Sequence, residues 1–354
     1  MRVTAYIICL TMLVFSGCSR TRAVKCAQQK AATPLFRIME KGEYGYINGE
    51  GKVIVTPQFI GGQEFAEGIV AVICCKAPLT CPSHVAYFNC AGNLTFGNFE
   101  KGRPFSEGLA AVEYKGKWGY IDDSGKMVIE PQFVSTAGTA REFHEGLAAV
   151  PVGDKWGYIN KVGKFVINPR RMIISLQQTP GISEFSEGLA AVNVNGKWGY
   201  IDKTGKLTIA TMFDFAESFS EGIAAVSLAG KHGFIDKTGK WVIKPQFDAV
   251  WSFSAGSAPV QLSNKWGFID KSGGFIIPLQ FEDALPFSEG LAAVKVRGKY
   301  GYIDSVGKIM IQPQYDSAHN FTRGLAMIQM GTDPASVKTG YIDKRGKMIW
   351  KPTR

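Results

Sequence analysis

Short apolar runs recur along this chain, each four to seven residues long and each ended by a polar turn that contains glycine. Phe185-Ser186-Glu187-Gly188-Leu189-Ala190-Ala191-Val192 opens one such unit with a turn and a short strand, and Asn195-Gly196 follows as a hairpin turn. In Lys197-Trp198-Gly199-Tyr200-Ile201-Asp202, the two-residue strand period places Trp198 and Tyr200 on one face, with Gly199 and Ile201 on the other. A glycine between two aromatics lets a second backbone approach closely. Asp202-Lys203-Thr204-Gly205 predicts the next turn, its Asp side chain capping amides. A third strand follows, as in Lys240-Trp241-Val242-Ile243-Lys244-Pro245-Gln246-Phe247, where Pro245 predicts an end or edge of pairing.

The aromatic-glycine step recurs at Tyr44-Gly45, Trp118-Gly119, Trp156-Gly157, Trp198-Gly199, His232-Gly233, Trp266-Gly267, Tyr300-Gly301 and Thr339-Gly340, with a worn copy at Val85-Ala86. From 198 to 300 the period is 34 residues throughout, the signature of a tandem array. These residues resemble the WG-repeat (KWG) family of bacterial proteins, a resemblance that implies a β-rich repeat fold and names no reaction. The predicted fold is therefore all-β, with about nine three-stranded meanders over 35–354. One unit buries too few large side chains to offset the entropy of ordering it, so neighbours must share a core. The expected core rows are Trp118, Tyr120, Trp156, Tyr158, Trp198, Tyr200, Trp266, Tyr300 and Tyr302. Leu35-Phe36-Arg37-Ile38 reads as the first strand and opens the first unit, and Lys347-Met348-Ile349-Trp350 closes the last as its third strand, leaving no strand for shared ring closure. The expectation is an open solenoid-like stack; the alternative is a propeller-like closed ring.

Arg2 followed by an apolar run from Val3 to Phe15 reads as a signal peptide over 1–17, too short to span a bilayer. Phe15-Ser16-Gly17-Cys18 resembles a bacterial lipobox, which implies diacylglycerol on Cys18, a tether over 18–34 and an outer-membrane lipoprotein of the cell envelope. Among the remaining cysteines, Cys74, Cys75, Cys81 and Cys90 crowd one extended hairpin. In an exported chain they predict two disulfides, with adjacent Cys74 and Cys75 each taking one of Cys81 and Cys90, and Cys26 left over. His84 beside Cys81 raises a zinc alternative, but the spacing fits no zinc pattern and no metal or other cofactor is expected.

The chain carries +10. Its turn lysines, among them Lys161, Lys197, Lys203, Lys231, Lys237 and Lys271, recur in register and form a ladder suited to an acidic partner. Glu107, Glu187, Glu221 and Glu289 alternate with Asp122, Asp202, Asp236, Asp270 and Asp304, which raises glycoside hydrolysis by a carboxylate pair; turn-making explains acids repeated in every unit more simply. No hydrolase, zincin or phosphate-loop motif occurs, and the four histidines are scattered. The function expected is a non-enzymatic envelope scaffold for a protein or an anionic glycan, with no nucleic acid among its partners. The alternative is a neutral-carbohydrate or peptidoglycan binder using exposed aromatics such as Trp241 or Trp251. Insertions around 76–83, 135–141, 170–182 and 331–338 are further candidates for recognition.

Overall fold

The computed structural model describes residues 34–73, 84–134, 138–170, 182–332 and 337–353; the signal, the lipobox with Cys18, and Cys26, Cys74, Cys75 and Cys81 lie outside them. The described chain forms nine antiparallel sheets, over 36–59, 61–99, 101–133, 147–170, 189–213, 215–247, 249–281, 283–315 and 317–353, here numbered one to nine. Three sheets have three strands and six have four. The extra strand is two residues long, such as Phe215–Ala216, and precedes the Phe-Ser-Glu-Gly turn. Its brevity hides it from periodicity, because two residues cannot display an alternation.

The central strand of each sheet carries the aromatic-glycine step. Trp118 faces Phe133 and Tyr120 faces Ile129 on the outer strand, so three outer-strand residues stand opposite Gly119 in a bulge. A Cβ on Gly119 would lie 2.5 Å from the Ile129 carbonyl oxygen and 2.8 Å from the Pro131 nitrogen. The glycine and the recurrent Pro-Gln therefore belong to one device: the proline, which has no N–H to offer the ladder, occupies the bulge that the glycine admits. In sheet two the device is exchanged across the pair, with Ala86 in the glycine's place and Gly97 opposite it.

Neighbouring sheets pack face to face. A typical core between two sheets holds Leu189, Ala191, Tyr200, Ile209 and Phe213 of sheet five against Phe219, Ala224, Val226 and Ile235 of sheet six. The ninth sheet packs on the first in the same way: Leu325 and Tyr341 are buried with Phe36, Ile38 and Ile47. The open stack expected from the sequence is thus corrected to a closed nine-bladed propeller. Closure uses side chains in place of a shared strand, which is why counting strands at the two ends pointed the wrong way. The three-stranded meander is corrected with it, since most blades carry the short fourth strand on the ring axis.

Candidate binding site on the ring axis

Two sets of repeated charges hold the blades in register. On one face each turn glutamate adopts positive φ and accepts an amide from the turn of the next blade: Gly146 N–H donates to Glu107 at 3.0 Å, Gly188 to Glu145 at 3.0 Å and Gly222 to Glu187 at 3.0 Å. A lysine of that next blade completes five of these clasps: Lys161–Glu107 at 3.1 Å, Lys203–Glu145 at 3.0 Å, Lys237–Glu187 at 2.9 Å, Lys271–Glu221 at 3.2 Å and Lys344–Glu289 at 3.0 Å. The lysine hydrogen bond holds the Glu187 carboxyl below the usual carboxylate range. On the opposite face, Asp214 binds Lys197 at 2.5 Å and the amide of Ala229 at 2.8 Å; Asp248 and Asp316 repeat the arrangement with Lys231 and Lys299.

These contacts assign the recurrent acids to architecture. Asp202 Oδ1 caps the amides of Thr204 and Lys206 and accepts the Thr204 hydroxyl, and its carboxyl is lowered chiefly by that hydroxyl. The lysine ladder divides. Lys161, Lys197, Lys203, Lys231, Lys237 and Lys271 lie in clasps, whereas Lys52, Lys126, Lys164, Lys206, Lys240, Lys308 and Lys347, each just after a turn glycine, are exposed and form no inter-blade ion pair among the described residues.

The repeat aromatics are placed as follows. Trp118, Tyr120, Trp156, Tyr158, Tyr200, Trp266 and Tyr302 are buried. Trp198 and Tyr300 are half-buried, Trp198 packing edge-on to Phe215 and Tyr300 donating its hydroxyl to Asp283. Cys90 is half-buried and disulfide-bonded, its partner lying outside the described residues. His84 joins no cluster of three or more metal-binding side chains among the described residues.

Equivalence between blades fails on the axis. On one side the wall is an ionic relay: Arg37–Glu64 at 3.6 Å, Arg103–Glu142 at 3.1 Å and Arg141–Glu184 at 3.9 Å link successive blades. Glu217 accepts the Ser252 hydroxyl, and burial raises its carboxyl above the ordinary value. On the other side the corresponding positions hold Trp251, Leu285, Pro286, His319 and Asn320, and there a cavity of about 620 Å³ opens. Leu35, Phe36, Phe65, Leu325, Met327 and Tyr341 complete most of its apolar wall; Glu64 and Arg323 add charge. Trp251 is 41% exposed at this wall. Burial keeps the His319 imidazole below its usual value, hence neutral near pH 7. Sequence reading singled out Trp251 and left His319 among the scattered histidines; only the ring brings residues from blades one, two, seven, eight and nine together.

A family model described as the WG containing repeat matches residues 44–74, 97–118, 118–156, 156–170, 181–198, 198–231, 233–266, 266–300 and 300–331. The chain belongs to the WG-repeat family. Among solved structures, this WG-repeat ring is similar to a eukaryotic initiation factor, with a TM-score of 0.62, 13% identity, and coverage of 91% of this chain and 96% of that one. It is also similar, with lower TM-scores, to Hsv2p of Kluyveromyces lactis (0.43; 10% identity; 81% and 99% covered) and to virginiamycin B lyase of Staphylococcus aureus (0.38; 14% identity; 78% and 98% covered). At these identities the likeness concerns the fold alone. No curated protein sequence matches the WG-repeat chain. Family and fold describe a binding or interaction scaffold and specify no reaction.

Proposed function

We propose that this WG-repeat protein is a non-enzymatic scaffold of the bacterial cell envelope, anchored through lipid on Cys18, which docks a protein or anionic glycan against the propeller face that carries the turn lysines. One observation carries the reading: after the inter-blade clasps have engaged their lysines, seven exposed lysines remain at equivalent places in seven blades. Such a rim produces a positive field that attracts acidic surfaces and weakens with salt. The disulfide at Cys90 is in keeping with an oxidising, extracytoplasmic compartment. Engagement of the repeated acids in caps and clasps supports a non-catalytic role.

The test is capture from envelope extracts by the chain lacking residues 1–17, alongside a variant with Lys126, Lys164, Lys206 and Lys240 all changed to Gln. Capture should weaken markedly in the variant and at high salt; a partner held equally by both proteins would sink the reading. Incorporation of labelled lipid, abolished by Cys18→Ala, tests the anchor separately. A second reading, a neutral saccharide stacked on an aromatic, is favoured by the exposure of Trp251 beside the axial cavity. Trp241 is less suited, since it packs edge-on against Phe213 at 5.8 Å. Saccharide binding that survives high salt and disappears in Trp251→Ala would support this second reading over the first.

A further inference from the structure

The hairpin turns that join central and outer strands lie on the face that carries the turn lysines, and two of them bear a side chain that the turn does not need. In blades three, five, six and seven the third turn residue is Ser124, Thr204, Thr238 or Ser272, whose hydroxyl donates to the turn aspartate at 2.6 or 2.7 Å. Blades four and eight hold Val162 and Val306 there. The valine amides still donate, to Asn160 Oδ1 at 3.2 Å and to Asp304 Oδ1 at 3.1 Å, but the hydroxyl half of the cap is gone. Both valines are 78% exposed, whereas no other large apolar side chain among the described residues exceeds 50%. An apolar residue that forgoes a hydrogen bond and stands in water contributes nothing to its own turn.

Positive charge surrounds these tips. Lys164 and Lys308 follow the two valines by two residues. The exposed acids Glu50 and Asp123 lie on the turns of blades one and three, so the field is strongest over blades four to nine, where Lys206, Lys240 and Lys347 also stand. In blade seven Gly274 replaces the lysine, and Phe275 beside it is 48% exposed. Blades four and eight are four steps apart in a ring of nine, hence nearly opposite each other. Cations and apolar tips spread so widely over one face match an extended flat surface better than a compact ligand. The described chain also enters blade one from this face: Phe36 pairs with Ile47, the residue before the Asn48 turn that leads to Lys52. The tether expected behind Cys18 therefore joins the ring on the side of the lysines.

We propose that this face lies against a lipid layer, with the lysines on its phosphate headgroups and Val162 and Val306 dipping to the boundary of the acyl chains. The inference rests on the lysine-rim reading and names the source of the anionic groups which that rim meets. Lysines supply an attraction that salt weakens. Valines supply apolar burial, which salt does not weaken. A free polyanion would draw on the first and gain nothing from the second.

The test is co-sedimentation of the unlipidated chain lacking residues 1–17 with vesicles of mixed phosphatidylcholine and phosphatidylglycerol, and with vesicles of phosphatidylcholine alone. Soluble polyphosphate is titrated in parallel by calorimetry. Mixed vesicles should bind about tenfold or more tightly than phosphatidylcholine alone, and the variant with Lys126, Lys164, Lys206 and Lys240 changed to Gln should lose about tenfold or more. The double variant Val162→Ser with Val306→Ser regains the turn cap, so its unfolding temperature should hold or rise. Its vesicle affinity should nevertheless fall about threefold to tenfold, with polyphosphate affinity unchanged. Absence of vesicle binding, or vesicle binding indifferent to the lysines or to the valines, would overturn the inference. So would valine changes that weaken polyphosphate and vesicle binding equally. Lysine-dependent capture of an envelope partner without vesicle binding leaves the scaffold reading standing and removes only this inference.

Discussion

The Tyr341 hydroxyl donates to the Arg37 carbonyl across 304 positions of sequence, at 2.7 Å, and so joins the last blade to the first. Beside it the Phe36 and Tyr341 rings meet at 5.5 Å. Where most other junctions combine an axial phenylalanine with a glutamate clasp, among the described residues this one shows these two contacts, the buried cluster around Ile38 and Ile47, and the Arg323 bridge.

Tyr341→Phe should therefore cost about 1 kcal/mol, the net worth of one hydrogen bond, while keeping the ring closed. Tyr341→Ala should cost about 3 kcal/mol or more by leaving a void and should loosen the closure. Chemical denaturation measures the first effect and small-angle scattering the second. A Tyr341→Ala chain as compact and stable as the parent would show that the ninth blade does not rely on this contact.

Two kinds of glycine should respond differently to alanine. Gly199→Ala places a Cβ 2.5 Å from the Ile209 carbonyl oxygen, a backbone atom that cannot rotate away, and should cost about 3 kcal/mol. Gly188→Ala meets nothing within 4 Å but sits at φ +87°, so its cost should be nearer about 1–2 kcal/mol. Equal losses in thermal or denaturant unfolding would contradict the bulge as the reason for the aromatic-glycine pair.

Acid should open the clasps. Glu187 is held low first by its hydrogen bond to Lys237, and Asp214, Asp248 and Asp316 by their lysine partners. Folded-state values below the unfolded ones mean that these carboxylates contribute stability in full above their ordinary range of about 4. That contribution is lost as pH falls through the lowered values. Unfolding followed from pH 7 to pH 2 should show a plateau and then a decline beginning near pH 4, shallower in Glu187→Gln. A decline already under way at pH 6 would implicate other groups.

Two junctions lack the clasp for a visible reason. Ala255 stands where other blades have glutamate, and Ser305 stands in the position of its lysine partner. At the junction of blades two and three, Glu67 receives the Gly108 amide, but Asp123 replaces the lysine. The pair Ala255→Glu with Ser305→Lys should add about 0.5–1 kcal/mol, more than either change alone, and Asp123→Lys should add a few tenths to about 1 kcal/mol. A double-mutant cycle without positive coupling between 255 and 305 would contradict the clasp as a stabilising unit.

Strand class, repeat number and the tie between aromatic, glycine and turn acid were legible in the sequence because each depends on residues within one hairpin. Trp198, Gly199 and Asp202 report a strand and its turn through local geometry alone. Closure was not legible. Whether nine units stack into a line or a circle depends on the angle between adjacent sheets, which follows from how Tyr200 and Ile209 of one blade seat against Phe219 and Val226 of the next. Those side chains are the same in an open stack, and nothing in their spacing records the angle. The axial cavity follows from closure, since Glu64 and Trp251 share a wall only once the circle is complete. The local code therefore specified the blade, while the summed inter-blade rotation, a packing property of the assembled chain, decided the ring and the site at its centre.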